Sequence, residues 1–292
     1  MTKLEQALKA GKFIITSEVG PPKGINIEKC LNDAEQIKDR ITAFNVTDLQ
    51  SAVMRFGSLA TCKLLLERGL EPIMQMTCRD RNRLALQSDL LSAAGLGIKN
   101  VLCLTGDHEQ LGDHPQAKPV FDLDSVQLLQ VADSLTKGKD MVGNELEGVP
   151  GFFLGAVVTP GADPVEPQIL KMQKKIVAGA RFFQTQAVYD PENFKNFMKQ
   201  ASRFNVPVMA GIVILKSAGM AKFMNANVAG INIPDGIIGE LKKDKEKTKS
   251  GRTGIEIAVR IIKQIKDHCQ GIHIMALGWE NKIPAILDGA GL

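Results

Sequence analysis

The chain has 292 residues and a formal net charge of +4, from 36 Lys and Arg against 32 Asp and Glu. So small a basic excess gives no argument for nucleic-acid binding, and a single Trp and a single Tyr offer no stacking platform for single strands. Five scattered cysteines lack metal-ligand spacing, which argues against a structural zinc or iron–sulfur site. No stretch approaches the roughly 20 apolar residues that span a bilayer, and no apolar signal region is recognisable. We therefore expect a cytoplasmic protein with reduced thiols.

Short runs of β-forming residues alternate with segments of helical periodicity. The strand candidates are mostly near-continuously apolar, as strands buried on both faces must be. They are residues 13–18, 43–48, 72–77, 100–106, 152–158, 181–186, 207–213 and 271–277. The helix candidates are 53–69, 81–96, 124–137, 164–179 and 190–204. One apolar face is predicted on the second helix, formed by Leu84, Leu86, Leu90, Leu91 and Ala94.

About eight strand–helix units in one chain predict a (β/α)8 TIM barrel, with a doubly wound open sheet as the alternative. Residues 216–269 contribute extra helical sequence before the last strand, which we interpret as one helix plus an inserted helical element. No linker or repeat divides the sequence, so residues 1–292 are expected to form a single domain. The basic stretch 242–252 is predicted to be a solvated helix end and loop, with an anion or partner contact as the alternative.

Polar side chains recur where the predicted strands end. They are Glu18, Thr47, Asp48, Gln75, Thr77, Thr105, Asp107, Gln184, Thr185 and Gln186. Because the active site of a TIM barrel is built at the carboxyl ends of its strands, these residues predict one polar mouth above an apolar barrel. Helix capping is the competing interpretation for each Thr and Asp. Helix capping is a poor explanation for Glu18, because Glu is a weak N-cap.

The longest loop near this mouth is residues 104–125. Gly106 lets the backbone approach a ligand closely. The two histidines of the loop, His108 and His114, have no third ligand at a matching spacing, so we interpret them as exposed loop residues. No G-x-G-x-x-G follows a strand and no P-loop is present, so the sequence carries no dinucleotide fingerprint of the Rossmann type.

Taken in order, these motifs resemble those of the methylenetetrahydrofolate reductases, which are flavin-dependent TIM-barrel enzymes of one-carbon metabolism. The resemblance covers nearly the whole chain. The matching segments are SEVGPP around Glu18, NVTD after the second strand, MTC at 76–78, LTGD at 104–107, KKIVAGARFFQTQ ending at Gln186, and AGIVI in the seventh strand. The chain is most similar to the reductases of acetogenic bacteria.

The resemblance implies a role for each matching residue. Glu18 would be the general acid that opens the methylene bridge of the folate, and Asp107 would lie near the flavin ring and the pterin as a second catalytic residue. Gln186 would bind the substrate together with Glu18 and Asp107. The implied flavin contacts are Thr47, Gln75, Thr105, Gly106, Asp107, Gly155 and Lys175, the lysine being suited to a phosphate. Hydride would pass from N5 of the reduced flavin to give 5-methyltetrahydrofolate.

A general acid works best when its pKa is close to the working pH. Burial at a barrel rim, beside a flavin and away from cations, is expected to raise the pKa of Glu18. The Gly20-Pro21-Pro22 sequence that follows is expected to hold the backbone rigid, so that the acid need not be oriented on each turnover.

Departures from the family pattern concern the cofactor and the electron donor. Thr105 and Gln75 replace an Arg and a His, and Val157 and Gly161 stand where groups that hold the adenine half of FAD are usual, so we favour FMN over FAD. Ala218 stands where the family commonly has a Phe that stacks on NADH or folate. We therefore expect electrons from a zinc- and iron–sulfur-containing partner subunit in a heteromeric complex. A non-catalytic folate- or flavin-binding barrel and a pterin-dependent methyltransferase barrel are the alternative functions.

Overall fold

The computed structural model describes residues 1–247 and 251–292, and its eight parallel strands form a closed barrel. The strands are β1 Ile14–Val19, β2 Ala43–Val46, β3 Pro72–Thr77, β4 Asn100–Leu104, β5 Phe153–Val158, β6 Phe182–Ala187, β7 Val208–Val213 and β8 Gly271–Met275. Each strand pairs with the next in chain order, and β8 closes the sheet against β1 with Gly271 opposite Ile14. The predicted TIM barrel is confirmed, and the open doubly wound sheet is wrong.

The described helices follow the strands around the outside of the barrel, except α1, which precedes β1. They are α1 Lys3–Lys9, α2 Glu28–Gln36, α3 Ser58–Glu67, α4 Arg83–Gly95, α5 Ser125–Leu135, α6 Glu166–Val177, α7 Pro191–Ala201, α8 Ala218–Asn227, α9 Asp235–Lys247, α10 Arg252–Ile265 and α11 Ile283–Ala290. The described residues of 216–269 form three α-helices, α8 to α10, where the sequence predicted one helix plus an inserted helical element. Residues 248–250 of the basic stretch lie outside the described residues. Among the helices that are described, none is both long and apolar enough to cross a membrane.

Two predictions about helices are wrong in detail. The helix predicted from residue 53 begins at Ser58, because the residues before it form a tight irregular turn. The buried face of α4 is Leu86, Leu90 and Ala93, whereas Leu84 is 73% exposed. At about 100° per residue, Leu84 lies about 200° around the helix from Leu86, so the two cannot share a face. Leu91 lies on the exposed side with Leu84, and is 39% exposed.

Apolar side chains fill the amino-terminal half of the barrel interior. The cluster consists of Leu4, Ile14, Ala43, Ile73, Leu102, Phe153, Phe182 and Met209. Leu4 belongs to α1, so this short helix closes the bottom of the barrel. Because side chains alternate along a strand, the residues after Ile14 that share its inward face are Thr16 and Glu18. The packed floor therefore gives way to polar groups toward the carboxyl ends.

Gly155 of β5 leaves space for the ring of Phe182, which is fully buried and stacks on Phe153. A Cβ atom at position 155 would lie 2.2 Å from the Cζ atom of that ring. We expect Gly155→Ala to lower the free energy of unfolding by about 1–3 kcal/mol, because the ring must shift within a closed core. Urea denaturation measures this change. The matched control is Gly151→Ala, where no atom lies within 4 Å of the added Cβ; an equal loss in both variants would contradict the packing role.

Candidate functional site

Glu18 lies near the carboxyl end of β1, on the strand face that points into the barrel. Its side chain is buried, with the residue 8% exposed, and its Oε1 accepts a hydrogen bond of 3.0 Å from Nε2 of Gln50. Gln50 belongs to the turn after β2, and Glu280 lies just beyond β8. The two loops on either side of β1 thus frame the carboxyl group.

A cavity of about 500 Å³ opens beside this carboxyl group. Glu18, Gln50 and Arg55 line one part of it, α2 contributes Lys29, and the loop after β8 contributes Glu280. A volume of this order accommodates a small-molecule ligand. Glu18 itself belongs to the lining, so a molecule bound in this cavity lies beside a residue that can donate a proton.

Burial raises the pKa of Glu18 to about 7, because the carboxylate form loses its hydration. The hydrogen bond from Gln50 and the charge of Arg55 lower the pKa, and the charge of Glu280 raises it. The expectation that Glu18 lies away from cations is therefore wrong, since Arg55 shares its cavity. Desolvation nevertheless outweighs this cation, and the expected upward shift stands.

The Gly20-Pro21-Pro22 segment is fixed from the opposite loop. Nη1 of Arg55 donates to the carbonyl oxygen of Pro21 at 3.2 Å, and the amide nitrogen of Phe56 donates to that of Pro22 at 2.8 Å. Proline restricts the backbone, and these two bonds attach it to the β2–α3 loop. The backbone behind Glu18 is thus held both by its sequence and by its contacts.

A buried polar layer crosses the barrel at mid-strand, below Glu18. Asn45 and Gln184 exchange two amide hydrogen bonds, of 2.6 and 2.9 Å. Nε2 of Gln184 also donates to Oγ1 of Thr16 at 3.3 Å, and this oxygen lies 3.0 Å from Nδ1 of His273. All four residues are buried. From the sequence, Gln184 was predicted to lie at the rim, and no role was predicted for Asn45, Thr16 or His273. These polar residues occupy inward-facing positions at the same height in the barrel, and this shared position could have indicated the layer.

Burial lowers the pKa of His273 to about 4, because the protonated ring cannot be hydrated. The unfolded chain therefore binds a proton below pH 6.5 that the folded chain binds only near pH 4. We expect the free energy of unfolding to fall by about 3 kcal/mol between these values on account of this residue. Glu18 acts in the opposite direction over this range, so the two chains are compared: on going from pH 6.5 to pH 4, His273→Gln should lose about 3 kcal/mol less stability than the native chain. The exposed His268→Gln is the control; a native slope in His273→Gln would contradict the assignment.

Among the residues expected to contact a flavin, Thr47, Gly106 and Lys175 have features that fit a bound phosphorylated ring system. The Oγ1 of Thr47 is buried and has no hydrogen-bond partner in the described structure. Gly106 has a φ of +100°, which a residue with a side chain adopts only with strain. Lys175 is buried, and its Nζ donates to the carbonyl oxygen of Val157 at 2.7 Å.

Burial lowers the pKa of Lys175 to about 8, with the nearby charge of Lys171 acting in the same direction. No carboxylate lies within salt-bridge distance of its Nζ in the part of the chain that the structure describes. A buried ammonium group costs free energy unless an anion compensates it. A phosphate group of a cofactor would meet this requirement.

Other expected flavin contacts have structural roles in this fold. Oγ1 of Thr105 accepts from the amide of Ser125 at 3.2 Å, at the start of α5. Gly155 packs under Phe182. The carbonyl of Gln75 accepts from Ser58 at 3.2 Å, and its side chain is half-buried. These roles do not test cofactor contact, which stays a prediction for all three residues.

Asp107 and Gln186 lie at the same end of the barrel, Asp107 in the loop after β4 and Gln186 within β6. Asp107 is exposed, and its carbonyl oxygen accepts from Nη1 of Arg79 at 3.1 Å. Gln186 lies inside β6 rather than at its end, where the pairing with β7 shifts register between Gln184 and Ala187. Such a bulge changes the direction of the side chains next to it. Their proposed substrate contacts depend on these two local geometries.

Two buried charges at the mouth are structural. Asp48 accepts from the backbone amide and the hydroxyl of Thr77, at 2.9 and 3.0 Å, and pairs with Arg81 at 2.7 Å. Arg79, only 2% exposed, donates to the carbonyl oxygens of Leu49 and Asp107 and pairs with its neighbour Asp80. No motif or spacing in the sequence predicted this role of Arg79. Its side chain connects the loops after β2, β3 and β4.

No group of three or more His, Cys, Asp or Glu side chains in residues 1–247 and 251–292 is arranged to hold a metal ion. His108 and His114 each contact an adjacent acid, Glu109 and Asp113 respectively. Both histidines are more than half exposed.

Comparison with known proteins gives consistent results. The family model described as methylenetetrahydrofolate reductase matches residues 3–291. Methylenetetrahydrofolate reductase 2 of Schizosaccharomyces pombe is 28% identical over 88% of this chain and 43% of its own length. The 5,10-methylenetetrahydrofolate reductase of Pectobacterium carotovorum is 25% identical over 87% of this chain and 81% of its own. The chain thus spans less than half of the fungal relative and most of the bacterial one.

A solved structure has the same fold. An uncharacterized protein from Clostridium thermocellum, which binds two copies of 5-methyl-5,6,7,8-tetrahydrofolic acid, superposes with a TM-score of 0.68 at 19% identity. The match covers 99% of this chain and 98% of the other. The family model covers nearly the whole sequence, and the motifs around Glu18, Asp107 and Gln186 meet at one end of the barrel. The chain belongs to the methylenetetrahydrofolate reductase family.

Proposed function

We propose that this chain reduces 5,10-methylenetetrahydrofolate to 5-methyltetrahydrofolate, with Glu18 as the general acid. Family membership supports the reaction class. The observation that carries the role of Glu18 is a carboxyl group at the barrel mouth, beside a cavity of about 500 Å³, whose pKa burial raises to about 7. Such a group is protonated to a useful extent at neutral pH and still releases its proton readily.

The proton of Glu18 goes to the folate bridge nitrogen whose bond to the methylene carbon breaks. The electron pair of that bond stays on this nitrogen, and the other nitrogen forms an iminium with the methylene carbon. The hydride that turns this carbon into a methyl group would be supplied by a reduced flavin when one is bound. Glu18 is then a carboxylate, which the N–H of Gln50 and the positive charge of Arg55 stabilise.

Lys175, Thr47 and Gly106 are proposed to hold the flavin, and Asp107 and Gln186 the pterin. We favour FMN over FAD. Gly161 supports this choice, because a Cβ atom there would lie 2.6 Å from the carbonyl oxygen of Gly230. Position 161 therefore has no room for a larger side chain that could contact the adenine half of FAD.

We also propose that a partner subunit containing zinc and iron–sulfur groups delivers the electrons. Ala218 is the first residue of α8 and is 8% exposed, so it offers no aromatic surface to a nicotinamide. Purified chain that oxidises NADH alone at the rate of the folate reaction would contradict this proposal.

The test of the function is an anaerobic half-reaction. The flavin of the purified chain is identified by mass, reduced with dithionite and mixed with methylenetetrahydrofolate. We expect FMN, rapid reoxidation and formation of 5-methyltetrahydrofolate. Flavin that binds but is never reoxidised would indicate the non-catalytic barrel. A protein that binds folate but no flavin would indicate the methyltransferase alternative.

A further inference from the structure

The turn after β2 is strained on both sides of Gln50. Leu49, Ser51 and Ala52 have φ values of 47°, 58° and 57°, in the left-handed region that favours glycine. None of the three is glycine, and none is Asn or Asp, which tolerate this region best. Backbone strain of this kind persists only where surrounding contacts enforce it, and it is concentrated at functional sites.

Contacts from two other loops enforce this conformation. Nη2 of the buried Arg79 donates to the carbonyl oxygen of Leu49 at 3.2 Å. Gly112 packs so closely that a Cβ atom there would lie 1.8 Å from the carbonyl oxygen of Ala52. Asp113 accepts from the amide of Met54 at 3.1 Å. The turn is therefore held on both sides of Gln50, by the loops that follow β3 and β4.

The side chain that this turn presents is Gln50, and its amide donates to Oε1 of Glu18 at 3.0 Å. An amide N–H requires an acceptor, so in the neutral carboxyl group Oε1 is the carbonyl oxygen and the proton is on Oε2. We propose that Gln50 is a positioning residue that fixes the acidic proton of Glu18 on Oε2, and that the strained turn 49–52 serves to hold it there. This inference rests on the proposed function of Glu18.

Other charged or titratable groups face Glu18 from each neighbouring element. Arg55 comes from the β2–α3 loop and Glu280 from the segment after β8. α2 contributes Cys30 and the ion pair of Lys29 with Asp33, whose atoms lie 2.5 Å apart. Variants of Gln50 leave all of these in place, so a change in the titration of Glu18 reports the lost contact.

The test combines infrared spectroscopy with kinetics in the flavin-loaded chain. The carbonyl stretch of protonated Glu18 is isolated by subtracting the spectrum of Glu18→Gln, and it is followed against pH. In Gln50→Met the hydrogen bond is lost, so the band should move to higher frequency and disappear only at higher pH. The half-reaction rate at low pH should fall about tenfold, because the proton is no longer fixed on one oxygen. In Gln50→Lys a cation replaces the amide, so the titration should move to lower pH.

Gln110→Met makes the same exchange at an exposed position of the facing loop and should change neither measurement. A native band and titration in Gln50→Met would overturn the inference, and so would a slower rate with an unchanged titration. If Gln50→Met fails to fold, an unshifted titration in Gln50→Lys overturns it equally. The infrared titration needs no turnover, so an inactive native chain would contradict the proposed function while the Gln50 contact is still measured.

Discussion

Glu18→Gln is expected to slow the reoxidation of reduced flavin by methylenetetrahydrofolate by about 10²–10⁴-fold, the range typical of a lost general acid. Glutamine has nearly the same shape but no transferable proton. Its amide can still meet the amide of Gln50, which donates to Oε1 at 3.0 Å in the native chain. Substrate binding should therefore change much less than the rate. Stopped-flow spectroscopy at several folate concentrations separates the two effects.

The same variant is expected to be more stable than the native chain at alkaline pH. The pKa of Glu18 is about 7 in the folded chain and 4.5 when unperturbed, so the folded state binds the extra proton between these values. Glu18 therefore contributes a loss of about 3 kcal/mol in native stability as the pH rises from 4.5 to 7, opposite in sign to the contribution of His273, and this loss persists above pH 7. Glu18→Gln has no carboxyl group to ionise at this position, so its stability should not fall in this way.

The exposed Glu147→Gln is the matched control and should change neither rate nor stability. A Glu18→Gln variant that is slow but shows the native dependence of stability on pH would mean that Glu18 is ionised in the folded chain. Its role as an acid would then be untenable. A variant with native rate and higher stability would leave Glu18 buried but without a part in the reaction.

Lys175→Met is expected to weaken flavin binding about 10–100-fold, because a charge-assisted hydrogen bond to a phosphate contributes about 1.5–3 kcal/mol. It should also stabilise the flavin-free chain at neutral pH. The pKa of Lys175 falls from 10.5 to about 8 on folding, so native stability rises between pH 8 and 10.5 as the ammonium is lost. Methionine avoids this cost and gives up one bond to Val157, for a net gain of about 1–3 kcal/mol.

Fluorescence titration of the flavin-free chain with FMN measures the affinity, and denaturation at pH 7 measures the stability. Lys174→Met removes the adjacent exposed lysine and is the control. Weaker binding with unchanged stability would contradict the buried, unpaired state of Lys175. Greater stability with unchanged affinity for FMN would mean that the phosphate does not bind at Lys175.

The strand pattern was sufficient to predict the barrel, because strands buried on both faces have continuous apolar runs separated by amphipathic helices. It also placed Glu18 correctly, since a polar residue at the end of an apolar strand in this fold faces the mouth. Residues of other elements, such as Lys175 of α6, were found through family motifs rather than through periodicity.

The remaining parts of the site depend on contacts that sequence spacing does not encode. Gln50 meets Glu18 only because three neighbouring residues adopt left-handed backbone conformations, which their residue types do not predict. Arg79 follows a strand like many surface arginines, and only the packed structure shows that it connects three loops. His273 interrupts an apolar run, and its partner Thr16 is 257 residues away.

The pH dependence of the folate half-reaction in the native chain tests the role of Glu18 most directly. At substrate concentrations well below saturation, the second-order rate constant reports groups of the free enzyme. We predict that this rate constant does not change below about pH 7 and decreases tenfold per pH unit above it. We predict no such decrease in Glu18→Gln. A rate that is constant from pH 6 to 9, or an identical decrease in the variant, would contradict Glu18 as the general acid.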